Sequence, residues 1–474
     1  MDNILYVCPV TPVLHCPRLL MPCRWDADEL RTRFCLAMSD MYREEVPLYG
    51  DLVRIVREVD DSVLRAQGKD PRDLPARHHL ERHGAIRLGS DHELRIIKRL
   101  FALLGMHPVG YYDLRIVDFP LHATAFRPTT VESLSRNPFR VFVSVLRKDL
   151  VSPDIRAIVE DILSTRQLFT PRLLKLLDRA EAGETMTSGD ADNLITESLK
   201  IFKWHSRSTV PIQDYLHLKG EHMMIADIVC FPSAHINHLT PRTLDIDLVQ
   251  AEMVRQGLPA KERIEGPPSR RCPILLRQTS FKALEEMVMF HGGEAGTHTA
   301  RFGEVEQRGA VVTARGRALY DELLALALAD KKRGLDEALG EAFLQFPDTW
   351  EELRERGLVY FRYGVTESGR EMAEEKKTER PQMSIKDLLR DGLVGYEPIT
   401  YEDFLPLSAV GIFKSNLGDG NVEASNKGDD GGLGQLEEAL GCKVEDQLEL
   451  YGRLEEESIR DCARELGVEI SMDC

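Results

Sequence analysis

Three separated stretches of the 474-residue sequence hold side chains whose types and spacing suit metal and acid–base chemistry. The first runs from His235 through Ile236, Asn237, His238, Leu239, Thr240 and Pro241 to Asp247. Ile236, His238 and Thr240 alternate with Asn237 and Leu239, which is the period of a β-strand, and Pro241 ends ladder pairing because it has no N–H. An imidazole on the inward face of such a strand can aim a nitrogen into a barrel or cleft; an ordinary half-buried histidine has the same local pattern. The second stretch is Thr299 to Arg308, where Phe302, Glu304, Glu306 and Arg308 share one face of a predicted strand. A buried carboxylate there is costly unless it is paired or ligates a cation. The alternative is an exposed polar face on which Glu306 and Arg308 neutralise each other. The third stretch is Glu81-Arg82-His83-Gly84-Ala85-Ile86-Arg87. His83 beside a glycine allows close approach of a ligand, and Arg87 offers a planar fork for a carboxylate. Two histidines and one carboxylate from three distant strands would make a facial set that leaves positions open for substrate and oxygen at Fe(II).

Those stretches need a scaffold, and the remaining pattern supplies one. A helix is predicted from Asp26 or Asp28, where Asp caps the free N–H groups, with Leu30, Phe34, Met38, Met41 and Tyr42 at helical spacing. A second helix covers Tyr49 to about Ala66, and a short amphipathic one follows Asp91 and stops at Gly105. Val109–Asp118, Ala123–Arg127 and Phe139–Leu146 read as strands, and residues 150–205 as mostly helical. Met224 to Phe231 reads as a continuous apolar run bounded by Asp227 and Pro232, hence a predicted buried strand. Residues 245–257 read as helix, Cys272–Gln278 and His298–Val312 as strands, and Arg315–Lys332 as helix again. The apolar stretch Glu402–Phe413 precedes Gly418–Gln435, which is rich in Gly, Asp, Asn and Ser and is predicted to be a mobile loop. A charged helix over about Val444–Leu466 follows. The predicted organisation is a loose N-terminal extension over residues 1–25, a catalytic region over 26–417 with helical insertions, a flexible loop over 418–435 and a helical tail over 436–474.

Composition narrows the class. With 61 basic against 78 acidic residues the net charge is −17, which argues against nucleic acid or an anionic membrane surface as partner. No run of 18 apolar residues is present, and the first 24 residues lack both a basic n-region and a small-residue cleavage site. Nine cysteines without a CxxC pair fit neither a disulfide framework nor a zinc finger, so reduced thiols in a cytoplasmic protein are expected.

From Ala27 to about Leu417 the chain resembles the 2-oxoadipate dioxygenase/decarboxylase family. The resemblance is carried by Arg33-Phe34 to Glu45-Val46-Pro47, Glu81 to Arg87, His122 to Pro128, Cys230-Phe231-Pro232 and His235 to Asp247. It continues through Glu265 to Pro268, Leu276 to Glu285, Phe302 to Gly309, Pro398 to Pro406 and Gly411 to Phe413. The first 25 residues and the glycine-rich segment lie outside it.

What the resemblance implies is concrete. The fold would be α+β, a central glyoxalase-like (vicinal-oxygen-chelate) β-sheet barrel wrapped by helices. Iron would be held by His83, His238 and Glu304, with Arg87 on a substrate carboxylate. Leu407 would touch substrate beside the metal through its backbone, so that His83, Arg87 and Leu407 line the substrate. His238 is preferred over His235 because Ile-Asn-His-Leu-Thr is similar to the opening strand of glyoxalase-type modules. Glu304 is preferred over Glu306 because the strand is similar to the Glu-x-x-Gln-Arg strand of 4-hydroxyphenylpyruvate dioxygenase. The implied reaction converts 2-oxoadipate and O₂ to 2-hydroxyglutarate and CO₂, a step of lysine catabolism. Two other classes remain open: a metal-dependent lyase or isomerase on the same scaffold, with Glu306 or His235 as a further ligand, and a metal-stabilised binding protein without catalysis.

Overall fold

The computed structural model describes residues 25–330, 332–375, 382–404 and 431–471. Its centre is a mixed five-stranded sheet in the order β2-β3-β4-β1-β5, formed by β1 (His83–Leu88), β2 (His107–Asp113), β3 (Leu121–Arg127), β4 (Arg140–Leu146) and β5 (Leu239–Thr240). β1 lies parallel to β4 and antiparallel to β5, and the other pairings are antiparallel. Side chains alternate across such a sheet. On β1, Ile86 and Leu88 enter one apolar cluster while Ala85 enters another on the opposite face, together with Phe142 of β4 and Ala123 and Ala125 of β3. His83 and Arg87 share the face of Ala85, which is the face that carries the candidate site.

Helices cover the other face. α1 (Ala27–Glu45) begins where Asp26 accepts a bond from the N–H of Asp28 at 2.9 Å, and it buries Leu30, Phe34, Met38 and Tyr42. α2 (Pro47–Ala66) starts on a proline, whose missing N–H costs nothing in the first turn, and buries Leu52, Ile55, Val56 and Val59. α3 (Asp91–Leu103) is capped by Ser90, and Gly105 just beyond it takes a φ of 66°, the left-handed conformation that suits glycine. Phe34 meets Phe101, Phe139 and Phe202 edge-on, with ring centroids 5.5–6.5 Å apart, tying α1 to α3 and the sheet.

Two further ladders complete the site's surroundings: β6 (Leu276–Ser280) pairs antiparallel with β9 (Glu304–Arg308), and β7 (Glu285–Met289) with β8 (Ala295–Thr299). A single bridge from Arg242 to Glu306 joins β9 to the chain that leaves β5.

Several expectations need correction. Met224–Phe231 is not a strand: residues Met223–Val229 form a helix whose N-terminus is capped by the His222 ring, 3.1 Å from the N–H of Met224. The run is buried on all sides, so its apolar pattern has no period from which to tell strand from helix. The histidine stretch pairs as a strand only at Leu239–Thr240, and the residues just before it have no regular secondary structure. The predicted strand Cys272–Gln278 begins only at Leu276, because Leu275 has a φ of 55° and turns the chain first. His298–Val312 is two elements, the end of β8 and β9, separated by Ala300–Gly303. Finally, Gly432–Leu440 is a helix, so the predicted mobile loop ends earlier than its polar composition suggests. A Cβ on Gly432 would stand 2.1 Å from the Tyr111 hydroxyl, which shows how closely this helix is packed. Residues 418–430 of that loop lie outside the described residues, as do residues 1–24 of the predicted extension.

Candidate metal centre

His83 opens β1, Glu304 opens β9, and His238 stands one residue before β5, so three remote segments converge on one point. The His238 segment is held in place by backbone bonds on both sides. The N–H of Asn237 donates to Ala85 O on β1 at 3.0 Å, and the N–H of Phe302 donates to Asn237 O at 3.0 Å. The Tyr42 hydroxyl on α1 lies within hydrogen-bond distance of both Asn237 O (2.9 Å) and Phe302 O (2.6 Å). Gly84 makes this approach possible. A Cβ there would come within 2.7 Å of Ile236 Cδ1 and 3.0 Å of His238 O. The glycine beside His83 therefore admits a neighbouring chain segment, where the sequence suggested room for a ligand.

The donor atoms of His83, His238 and Glu304 all lie within 4.8 Å of one another, and all three residues are buried. His83 Nε2 lies 2.9 Å from Glu304 Oε1 and 3.0 Å from the Thr240 hydroxyl. His238 stacks on Phe302 with ring centroids 4.7 Å apart, and Phe404 meets the His83 ring edge-on at 4.7 Å. Burial, then the Arg140 and Arg82 charges, holds His83 well below the usual imidazole range. His238 is likewise depressed by burial, then by His83, Arg87 and Lys261. Burial drives Glu304 well above the usual carboxylate range, with Glu265 and Glu306 adding to the rise and Lys261 opposing it. Both imidazole nitrogens of His238 and Glu304 Oε2 are buried without a hydrogen-bond partner among the described residues. Neutral imidazoles, a carboxylate lacking a full counter-charge and unpartnered lone pairs fit a divalent cation.

Glu306, the other carboxylate of that strand, is used differently. Arg308 grips it through Nε (2.6 Å) and Nη2 (2.7 Å), and Arg140 Nη2 lies 3.2 Å from each of its oxygens. Arg82 and Arg140 also share Glu402 at 2.7 and 3.0 Å. The Glu306–Arg308 neutralisation foreseen from sequence is real, but it is buried rather than exposed. Glu306 Oε2 stands 2.9 Å from His83 Nδ1, a close contact without hydrogen-bond geometry, while Nε2 faces Glu304.

His235 belongs to a second buried group. Asp227, on the helix Met223–Val229, brings Oδ1 to within 2.8 Å of His298 Nε2 and 3.3 Å of His235 Nε2. Asp227 Oδ2 lies 2.5 Å from Arg87 Nη1. These three donors also lie within 4.8 Å of one another. Burial works against the Asp227 charge, but Arg87 and His235 outweigh it and hold the carboxyl well below its usual range. Here the counter-charge is already present. Leu407 lies outside the described residues.

Sequence reasoning did not single out Asp227, His298, Arg140 or Glu402. Asp227 left one signal, a lone carboxylate inside a run of apolar residues, which must be compensated somewhere.

A mixed α/β protein with two buried imidazoles and one carboxylate on three converging segments belongs, by fold and site, among proteins able to hold a metal with open coordination positions. A sequence model of the 2-oxoadipate dioxygenase/decarboxylase family matches residues 34–416, and the chain belongs to that family. It is 47% identical over 446 residues to the 2-oxoadipate dioxygenase/decarboxylase of Escherichia coli K12, covering 92% of this chain and 98% of that protein. It is 46% identical over 459 residues to the Pseudomonas putida protein of the same name, covering 93% and 97%. Among solved structures it is similar to the hydroxyglutarate synthase of Pseudomonas putida in complex with 2-oxoadipate. That match has a TM-score of 0.83 at 43% identity and covers 94% of this chain and 99% of the other.

Proposed function

We propose that this chain is an Fe(II)-dependent dioxygenase that converts 2-oxoadipate and O₂ to 2-hydroxyglutarate and CO₂, with His83, His238 and Glu304 holding the iron. The observation that carries the reading is the convergence of these three buried donors, within 4.8 Å of one another, on the sheet face from which Arg87 also projects. Family membership, and a relative of 43% identity solved with 2-oxoadipate, support the substrate class. The surroundings accord with a glyoxalase-like site, because β1 and β9 approach the donors from two sides and the β5 segment lies between them. The iron would supply Lewis acidity and the electrons that activate O₂.

The protein's own part is binding and orientation. His83 and Arg87 are four residues apart on one strand face, so their backbones are separated by roughly 13 Å. Ala85, a small side chain, is the one β1 residue between them on that face. A 2-oxo dicarboxylate fits this arrangement, with its 2-oxo acid end at the His83 side and its far carboxylate directed to the Arg87 guanidinium. Arg87 thereby sets register, a positioning contribution. Phe404 and Phe302 wall the donors with apolar rings, which excludes water from the reacting end. A reducing, cytoplasmic setting accords with the described cysteines Cys35, Cys230, Cys272, Cys442 and Cys462, all free thiols.

The test is the metal content of anaerobically purified protein together with O₂ uptake on a panel of 2-oxo acids. Iron at one per chain, and uptake matched by CO₂ and 2-hydroxyglutarate from 2-oxoadipate, is the expected result. Absence of uptake with every 2-oxo acid in iron-loaded protein would leave the lyase or isomerase class instead. Arg87→Lys should keep iron and lose about 2–4 kcal/mol of transition-state binding, roughly 30- to 1000-fold in kcat/KM, since an ammonium cannot reproduce the guanidinium fork.

A further inference from the structure

Asp227 and its two histidines have the composition of a metal site but a different electrostatic setting, because Arg87 Nη1 stands 2.5 Å from the carboxylate. A cation placed there would have to displace or repel a buried guanidinium. We propose that Asp227, braced by His298 and His235, is the positioning residue that aims Arg87 and so determines the enzyme's preference for a substrate with a second carboxylate. This rests on the reading of Arg87 as the carboxylate clamp.

The geometry forms a chain. The Tyr215 hydroxyl lies 3.0 Å from His298 Nδ1, and His298 Nε2 lies 2.8 Å from Asp227 Oδ1. A carboxylate only accepts, so His298 carries its proton on Nε2 and its Nδ1 accepts from Tyr215. Trp204 stacks on the His298 ring at 14° and 5.9 Å and meets His235 edge-on at 4.7 Å, which blocks rotation of both rings. Asp227 is thus held by rigid groups on one oxygen and holds Arg87 with the other. All of it is buried: Asp227 is 3% exposed, His235 3% and His298 4%.

A long arginine side chain loses considerable rotamer entropy when a ligand must fix it, and a clamp fixed beforehand avoids that loss. Asp227 would fix Arg87 from the helix side, and the hydrogen bond from His298, with the His235 ring 3.3 Å away, draws its negative charge away from the guanidinium. An arriving carboxylate then meets an oriented cation whose resident counter-ion is shared with other donors. A substrate ending in a methyl group gains nothing from that orientation.

The experiment uses the full-length, iron-loaded protein and compares kcat/KM for 2-oxoadipate with that for 2-oxohexanoate, which lacks the far carboxylate. Asp227→Asn should lower the ratio at least about tenfold, through a raised KM for 2-oxoadipate with kcat little changed and iron content intact. His298→Phe should lower it in the same sense, whereas His298→Gln, which retains an N–H donor, should restore it to within about threefold of wild type. A ratio unchanged in both Asp227→Asn and His298→Phe would overturn the proposal. So would equal losses on both substrates, or loss of iron, since either would mark a merely structural role. Wild-type protein inactive on every 2-oxo acid would overturn the function itself and this inference with it; an active wild type with an unchanged ratio in the variants would overturn only the inference.

Discussion

The two buried groups, His83–His238–Glu304 and Asp227–His235–His298, each set two histidines and one carboxylate within 4.8 Å of one another, yet their carboxyl groups are shifted in opposite directions. In the first, burial drives the carboxyl up against the opposing Lys261 charge, and burial together with nearby cations drives both imidazoles down. In the second, Arg87 supplies the positive charge directly and the carboxyl is held down. Donor type and spacing therefore do not distinguish a ligand set from a structural cluster. What distinguishes them is whether the fold has already placed a counter-charge in contact with the carboxylate.

The largest expected effect tests that distinction head on. His83→Ala, His238→Ala and Glu304→Ala should each leave less than about a tenth of the wild-type iron after anaerobic purification, whereas His235→Ala and His298→Ala should keep at least about half. Iron retained in His238→Ala and lost in His298→Ala would reverse the assignment of the two groups.

Next in size is Glu306→Ala. Arg140 and Arg308 would lose a partner within 3.2 Å while remaining fully buried, so unfolding free energy should fall by about 3–5 kcal/mol in denaturant titration. Iron should still bind, with affinity weakened about 10- to 100-fold by loss of the group beside His83 Nδ1. If the variant lost iron altogether and Glu304→Ala did not, the ligand would lie two residues further along β9.

A third prediction separates the clusters from background acid sensitivity. His122 on β3 is pushed down to about 4 by burial and by the Arg147 charge, from 6.5 in the unfolded chain. Between those values the unfolded state binds more protons, so stability is lost as pH falls from about 6.5 to about 4, by about 3 kcal/mol in all. His122→Gln should flatten that part of the pH–stability curve. Should it leave the curve unaltered, the acid limb would have to be assigned to other buried groups.

The smallest effect concerns how His238 is delivered. Gly84→Ala would bring a Cβ within 2.7 Å of Ile236 and 3.0 Å of the His238 carbonyl, costing about 1–3 kcal/mol of stability. Iron affinity should fall while Asp227, on the helix Met223–Val229, keeps its pair with Arg87 three residues further along β1. Unchanged iron affinity with lowered stability would show that the His238 segment moves without disturbing the donors.

Much of the scaffold was legible in the sequence because its signals are local. Asp26, Ser90 and Gly105 mark helix ends through bonds made within one turn, and the apolar spacing of α1 and α2 carries their buried faces. The elements misread were those in which no local signal survives. The Met223–Val229 helix is buried throughout and so has no amphipathic period, and Leu275 bends the chain before β6 through a backbone conformation that leucine does not advertise.

For the site the division is similar. The sequence alone set His83, Gly84 and Arg87 in one short stretch; that the stretch is a strand with His83 and Arg87 on one face came with the fold. Resemblance of whole motifs was needed to prefer His238 and Glu304 over His235 and Glu306; the fold brings His83, His238 and Glu304 into one buried group and places His235 in another. Only the tertiary structure decided what each alternative does instead: Glu306 is enclosed by arginines from β4 and β9, and His235 is turned to an aspartate from a helix that periodicity had read as a strand. The physical reason is that a side chain's direction follows from its own backbone, whereas the charge it meets there can come from another segment, as Arg140 reaches Glu306 across 166 residues, and only the folded chain brings the two together.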